Sequence, residues 1–285
     1  MPEERIYRKF DSILLPTIHC VEEDRGFVRC CTPELVLASS LDVASWKNDK
    51  TSAWIKLSDV SDTITFTLKK DGIATTYTPT TQSIVRETYG KFTTIDWRSV
   101  LASDGIGCYT LELDYSISGL IGSLTWGTYK LKEYSTTTSE NTCRVRAFFN
   151  SYQEIEQIDF SDTNVESTFR FFGFIGNRQP NMEIDNLIYQ NREMKKVIRE
   201  NLNDYEILSD PICKEFTSKL VDLYLLSEND LYISDYNAHN HDYCIRDKNV
   251  IVKESPEIQY FEYARDAVVT CKVEDKFKDK RSYFK

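Results

Sequence analysis

The sequence predicts a mainly β fold with α+β character: a β-sandwich-like N-terminal domain, followed by a second antiparallel-sheet domain that carries one amphipathic helix. Three observations predict it. Aromatic residues make up 13% of the 285 residues, and Thr is abundant in the first half of the chain; both suit the pleated, half-buried surface of a sheet. Several segments alternate between apolar and polar residues, as strands with one buried face do. Turn residues separate these segments.

We divide the chain into four parts. Residues 1–34 are irregular in pattern and are predicted to form an N-terminal arm. Residues 35–155 are predicted to form the β-sandwich domain, and residues 156–274 the second β-rich domain. Residues 275–285 form a charged C-terminal tail, which we expect to be pendant unless a neighbour holds it.

The clearest strand of the first domain is predicted at residues 62–70, where Ile, Phe and Leu alternate with Thr and Lys. Asp71 and Gly72 follow, a pair that tolerates positive φ and predicts a tight hairpin turn into a returning strand at residues 73–77. The other strands predicted in this domain lie at residues 109–117, at 124–134 with an irregularity near Gly127, and at 143–149, whereas residues 35–41 fit either a helical turn or a strand.

A strongly apolar and aromatic segment, residues 168–175, predicts a buried strand in the second domain. It runs into residues 176–186, a polar segment without periodicity that we interpret as a long loop. Loops of that length in compact domains tend to be functional. Residues 187–208 fit two strands or a helix. The later strands are predicted at residues 231–236, 245–252, 259–263 and 267–273.

One helix is predicted at about residues 210–226. Asp210 suits the N-cap position, and Pro211 suits the first helical position. The apolar residues that follow recur at helical spacing and form one face: Ile212, Phe216, Leu220 and Leu223.

The chain is acidic, with a formal net charge of −10 and a pI of about 5.0, which argues against a protein that binds nucleic acid by neutralising phosphates. Its N-terminus lacks the apolar core of a signal peptide, and no segment approaches the roughly 20 apolar residues that span a bilayer. We therefore expect a protein synthesised in the cytoplasm, with no membrane partner. Its eight cysteines are expected to be reduced and to serve mainly as small core residues.

Common catalytic motifs are missing from the sequence. It contains no G-x-x-x-x-G-K-[ST] phosphate loop, no G-x-G-x-x-G after a strand and no G-x-S-x-G elbow. We therefore expect no enzymatic activity, no catalytic residues and no cofactor.

Two alternative functions rest on particular residues. Asp235, His239 and His241 could bind a divalent metal in a hydrolase, although a polar loop whose histidines hydrogen-bond the backbone or a neighbouring subunit explains them more simply. Tryptophans could stack on sugars in a carbohydrate- or receptor-binding protein, although Trp in a β-sandwich is more often a core residue. The four tryptophans are Trp46, Trp54, Trp97 and Trp126.

Residues 173–186 (GFIGNRQPNMEIDN) and 232–241 (YISDYNAHNH) resemble segments of tail ring proteins of crAss-like tailed phages, short-tailed viruses that infect Bacteroides. The resemblance implies a virion structural protein of the tail or neck, arranged in stacked rings of about a dozen copies that extend the DNA exit channel below the portal. It implies as partners further copies of this chain and adjacent ring, portal or hub proteins. An acidic lumen would let DNA pass during genome ejection without specific binding.

We predict the contacts between subunits in the polar segment that follows the aromatic strand. Ring proteins need adhesive β-domains and long segments that become ordered on neighbouring copies. The predicted contact residues are Asn177, Arg178, Gln179, Pro180, Asn181, Met182 and Glu183.

Overall fold

A computed structural model describes most of the chain between residues 33 and 282. The described residues are 33–40, 48–57, 62–117, 120–135, 139, 141–153, 157–188, 194–226, 230–235, 245–261, 266–277 and 279–282. Antiparallel sheets dominate this part of the chain, which confirms the predicted mainly β fold. Nearly all of the predicted N-terminal arm lies outside the described residues.

The elements follow one another in this order: β1 (Glu34–Ala38), β2 (Lys50–Lys56), β3 (Thr63–Lys70), β4 (Ile73–Ala74), β5 (Gln82–Ser83), β6 (Gly90–Asp96), α1 (Trp97–Asp104), β7 (Gly107–Ile117), β8 (Leu120–Glu133), β9 (Thr142–Phe149), β10 (Tyr152–Gln153), β11 (Ile158–Asp159), β12 (Val165–Ile188), β13 (Met194–Ser209), β14 (Ile212–Cys213), α2 (Lys214–Ser218) continued by a π-helical segment (Lys219–Leu225), β15 (Asp230–Asp235), β16 (Ile245–Val252), β17 (Glu257–Tyr260), β18 (Asp266–Asp275) and β19 (Asp279–Ser282).

The first sheet has five strands in the order β1-β8-β7-β3-β4, with β1 parallel to β8. The predicted alternation in β3 is confirmed, because Phe66 and Leu68 are each 1% exposed while the Thr residues between and before them face outward. The predicted turn is also confirmed: φ is 50° at Asp71 and 82° at Gly72. The returning strand is only two residues long and shorter than predicted, because β4 ends at Ala74.

A β-bulge interrupts the pairing of β7 with β8. Leu111 lies opposite Gly127 and Glu112 lies opposite Thr125, which leaves Trp126 as the extra residue. Its side chain is 5% exposed and packs in the core under this sheet. The predicted irregularity near Gly127 is therefore confirmed.

A second sheet of three strands, in the order β2-β6-β5, lies between two hydrophobic cores. Ala53 and Ile55 pack with the five-stranded sheet, whereas Trp54 and Phe92 belong to the larger core. Helix α1 follows β6 and was not predicted. Its N-cap is Asp96, which accepts a hydrogen bond from the backbone of the second helical residue.

The third sheet contains a closed six-stranded antiparallel barrel. Its ring order is β9-β12-β13-β18-β16-β15, and β15 pairs with β9 to close the ring. Each strand contributes buried apolar residues to one large core. Fully buried examples from five of the strands are Val145, Phe169, Ile207, Ile233 and Val273. Side chains fill a barrel of this size, as expected for so few strands.

The change of sheet does not coincide with the predicted domain boundary at residue 155. Strand β9 falls within the predicted N-terminal domain, but it lies between β15 and β12 in the barrel. The chain passes from the first sheet to the barrel between the end of β8 at Glu133 and the start of β9 at Thr142.

The predicted helix starts later than expected. The N–H of Asp210 donates to the carbonyl of Phe172 (2.8 Å), and β14 pairs with β18, so the N-cap prediction at Asp210 was wrong and the helix begins at Lys214. Its predicted apolar face does reach the core, where Phe216 contacts Phe169 with ring centroids 5.7 Å apart.

The predicted pendant tail also needs correction. Strand β19 pairs with residues 198–201 of β13, so part of the tail is held by this chain itself.

Candidate assembly surface at the long hairpin

Strands β12 and β13 form a long antiparallel hairpin. Their register runs from Gly173 opposite Ser209 to Ile188 opposite Met194. The prediction of a loop at residues 176–186 was wrong, since this whole segment belongs to β12. The predicted contact residues lie on this strand, and those from Gln179 to Glu183 pair with Asp204 to Glu200.

The hairpin continues past the closed barrel. The last pair that joins β13 to the barrel strand β18 is Asp204 with Glu274. Beyond it, residues 180–188 of β12 pair with residues 194–203 of β13 and continue for about 30 Å, at roughly 3.3 Å per residue. Strand β19 adds a third strand to the outer side of β13.

One edge of this extension is open. In the described part of the chain, no strand pairs with the edge of β12 that faces away from β13 over residues 180–188. An edge with free N–H and C=O groups is a template for pairing with another chain. This edge, together with the extension that carries it, is the candidate assembly surface.

The base of the hairpin is built on a sharp change of partner in β12. Up to Phe172 the strand pairs with β9, and from Gly173 onward it pairs with β13. Gly173 has φ of 148°, and a Cβ at this position would lie 2.3 Å from the carbonyl oxygen of Leu208. Only glycine fits this close approach without strain. On either side of it the aromatic side chains of Phe172 and Phe174 are partly exposed.

Asp235 fixes the strand just after this bend. It is fully buried, and its Oδ2 accepts a hydrogen bond from the N–H of Ile175 at 2.6 Å. Burial raises the pKa of the neighbouring Cys143 thiol, and the Asp235 carboxylate raises it further. The Asp235 carboxylate therefore stabilises the backbone of β12 just after the bend at Gly173.

One of the three residues proposed as metal ligands is therefore already engaged by the backbone. Asp235 is buried and bonded to the backbone, while His239 and His241 lie outside the described residues. Among the residues that the structure describes, no group of three or more His, Cys, Asp or Glu side chains could hold a metal ion.

Hydroxyl groups attach β2 to the first half of β12. Ser52 donates from Oγ to the carbonyl of Glu166 at 2.7 Å, and the N–H of Lys50 donates to Oγ1 of Thr168 at 2.9 Å. The hydroxyl of Thr168 donates in turn to the carbonyl of Lys50 at 2.8 Å. These bonds satisfy backbone groups where the small sheet meets the barrel, so the root of the hairpin is supported from that side.

A buried ion-pair network joins the same two parts. Asp49, just before β2, pairs with Arg170 of β12 at 2.8 Å and lies 3.5 Å from Arg144 of β9. All three side chains are 1% exposed. Buried charges persist when they are paired and hydrogen-bonded, so this network fixes the position of the N-terminal strands on the barrel.

A neighbouring charge cluster lies nearer to the surface. The guanidinium of Arg146 packs between the rings of Phe148 and Tyr232, at 4.7 and 4.6 Å from their centroids. It also pairs with Glu166 at 3.1 Å and with Asp247. Burial raises the pKa of Glu166, but hydrogen bonds and charge from Lys50 and Arg146 outweigh this effect and leave that pKa lowered.

This network was not predicted, although the sequence contains a signal for it. Arg144, Arg146 and Arg170 stand inside segments that otherwise read as buried strands, and an arginine in such a place needs an acidic partner. Pattern alone does not identify the partner.

Three of the four tryptophans are core residues. Trp54, Trp97 and Trp126 are 2%, 0% and 5% exposed, and Trp46 lies outside the described residues. The indole N–H of Trp97 donates to Oγ1 of Thr51 at 2.8 Å. None of these three rings is available to stack on a sugar.

No protein-family profile matches the chain, and no curated protein sequence is significantly similar to it. Among the helices in the described ranges, none is long and apolar enough to cross a lipid bilayer.

Proposed function

We propose that this protein is a virion structural subunit that assembles with copies of itself into a ring in the tail or neck of a tailed phage. The ring would extend the DNA exit channel below the portal. The observation that carries the proposal is the hairpin extension with its open strand edge, which presents backbone hydrogen-bonding groups to a neighbouring chain.

The filled barrel supports a role for several copies. Its interior contains fully buried apolar side chains such as Phe169 and Ile207, and a six-stranded barrel leaves no room for a duplex. A channel wide enough for DNA must therefore be enclosed by several subunits. The net charge of −10 would keep the channel wall from holding DNA by phosphate contacts.

The sequence resemblance points in the same direction. Its first segment, residues 173–186, begins at the bend in β12 and runs along the extension. The second segment, residues 232–241, starts in β15 at the barrel and continues outside the described residues. Partners in this proposal are further copies of the chain and adjacent ring, portal or hub proteins.

Negative-stain microscopy and light scattering of the purified full chain test the proposal, with the protein alone and mixed with the phage portal complex. We expect closed rings, or specific binding to the portal complex and none to an unrelated ring-shaped protein. A protein that stays monomeric and does not bind the portal complex would contradict the proposal.

A further inference from the structure

A buried lysine and a buried glutamate meet where the helix touches the first strand. Nζ of Lys219 lies 2.5 Å from Oε2 of Glu34, although the two residues are 185 positions apart in the sequence. Their side chains are 5% and 1% exposed. Lys219 begins the π-helical segment that follows α2, and Glu34 begins β1.

The surroundings satisfy the lysine better than the glutamate, since Nζ of Lys219 lies 5.3 Å from the ring centroid of Phe169. Within the described residues, Oε1 of Glu34 has no hydrogen-bond partner. The same holds for the hydroxyl of Tyr129, which is the register neighbour of Glu34 on β8. A buried ion pair is stable only when further hydrogen bonds satisfy its remaining atoms. Here the second carboxylate oxygen lacks such a bond.

Burial also favours the uncharged form of the glutamate. Desolvation raises the pKa of Glu34 even though Lys219 acts to lower it. The group is therefore shifted towards a carboxylic acid, which lies one hydrogen bond from Nζ of Lys219.

We propose that Lys219 and Glu34 condense to form an intramolecular isopeptide bond. A proton passes from the ammonium group to the carboxylate, and the freed lone pair of Nζ attacks Cδ of Glu34. The new C–N bond forms, the C–O bond to one carboxyl oxygen breaks, and that oxygen leaves as water with the proton from the acid and one from the amine.

Three features of the structure favour this reaction. The reacting groups are already held in contact, which replaces a bimolecular encounter with an intramolecular one. Their burial excludes the water that would reverse the condensation. The π-helical geometry begins at the nucleophile itself, and π-helical turns occur frequently at functional sites.

The bond would tie β1 covalently to the helix that packs in the barrel core. It would link the five-stranded sheet to the barrel through side chains, as the Asp49–Arg170 ion pair does without a covalent bond. This inference stands apart from the proposed function, since a monomer could contain the bond and a ring could lack it.

Mass spectrometry of the folded, purified full chain tests the proposal. We expect the intact mass under denaturing conditions to be lower than the sequence mass by one water molecule. After digestion, one branched peptide should join the segments that contain Glu34 and Lys219. Lys219→Arg retains the positive charge but lacks the primary amine, so its mass should match its sequence.

An internal control separates this reaction from ordinary ion pairing. Nζ of Lys50 and Oε2 of Glu166 lie 2.7 Å apart, but these side chains are 38% and 17% exposed. We expect no bond between them, so the peptides that contain Lys50 and Glu166 should be recovered separately. If the wild-type chain yields unlinked Glu34 and Lys219 peptides only, the proposal is wrong. This result needs no variant, so it holds even if Lys219→Arg does not fold.

Discussion

Asp49 and Arg170 form a bidentate ion pair, in which Nε lies 2.8 Å from Oδ2 and Nη2 lies 3.0 Å from Oδ1. The same Oδ2 accepts a hydrogen bond from the N–H of Leu37 at 2.8 Å. One carboxylate therefore connects β1, the start of β2 and the barrel strand β12. Residues 121 positions apart are fixed to each other by this contact.

Replacement of Asp49 by Asn should destabilise the protein strongly. The amide keeps the shape of the side chain but leaves the buried Arg170 and Arg144 without their shared counter-charge, at an expected cost of about 3–5 kcal/mol in the free energy of unfolding. Urea denaturation measures this cost. As a control, Asp162→Asn breaks a pair with Arg86 in which both side chains are more than half exposed, and it should cost less than about 1 kcal/mol. Equal costs for the two variants would show that the buried pair does not support the fold.

The glycine at the base of the hairpin gives a second prediction. Gly173→Ala introduces a methyl group 2.3 Å from a backbone oxygen at a φ of 148°, and should cost about 2–4 kcal/mol. Gly72→Ala is the matched control, because that turn glycine also has positive φ but has open space around it, so about 1 kcal/mol is expected. Denaturation curves of both variants make the comparison. A smaller loss of stability in Gly173→Ala than in Gly72→Ala would contradict the close approach of Gly173 to the carbonyl oxygen of Leu208.

Acid should weaken the contact between β2 and the barrel through Glu166. Its pKa in the folded protein is lower than its ordinary value of 4.5, so its contribution to stability is present at neutral pH and is lost as the pH falls through 4.5 and below. Glu166→Gln should therefore reduce stability by about 1–3 kcal/mol at pH 7 and by much less at pH 3. Glu254→Gln, which removes an exposed partner of Lys272, should show little effect at either pH. A constant difference between wild type and Glu166→Gln across this range would argue against the ionised pair.

The cysteines should differ widely in reactivity. Burial raises the pKa of Cys271 to about 12 and that of Cys143 well above its usual range, whereas Cys108 is exposed. Since the thiolate is the reactive form, iodoacetamide at pH 8 should modify Cys108 first, and the other two only after unfolding in urea. Peptide mass spectrometry distinguishes the sites. Rapid modification of Cys143 in the folded protein would contradict its burial.

The local sequence pattern predicted those strands that have one buried and one exposed face. The alternation in β3 and β7 and the Asp71-Gly72 turn were visible because each depends on neighbours in sequence. The helix α1 was missed because it is only eight residues long, although Asp96 before it and Gly105 after it suit helix caps.

The segments whose structure was not predicted correctly depend on partners that are distant in sequence. Residues 177–183 show no apolar alternation, and residues 179–183 are held in a strand by pairing with β13. Asp210 and Pro211 suit a helix start, but pairing of the next two residues with β18 delays the helix. Arginines within otherwise apolar strand segments are unusual and could have been noticed in the sequence. Their partner Asp49 is distant in sequence and was identified only by the three-dimensional arrangement.

The central claim is that the hairpin extension mediates assembly. Met182 and Asn201 are register partners, so residues 183–200 can be replaced by a two-residue Asn-Gly turn without changing the register of the remaining hairpin. This deletion also removes most of the segment that pairs with β19, so a chain that ends at residue 278 serves as the control for loss of β19 alone.

Light scattering of these two variants and the wild type is the most direct measurement. We predict that the wild type and the chain ending at residue 278 assemble, and that the shortened hairpin yields a folded monomer with an unchanged near-UV circular dichroism spectrum. Assembly of the shortened variant to the same mass as the wild type would contradict the account.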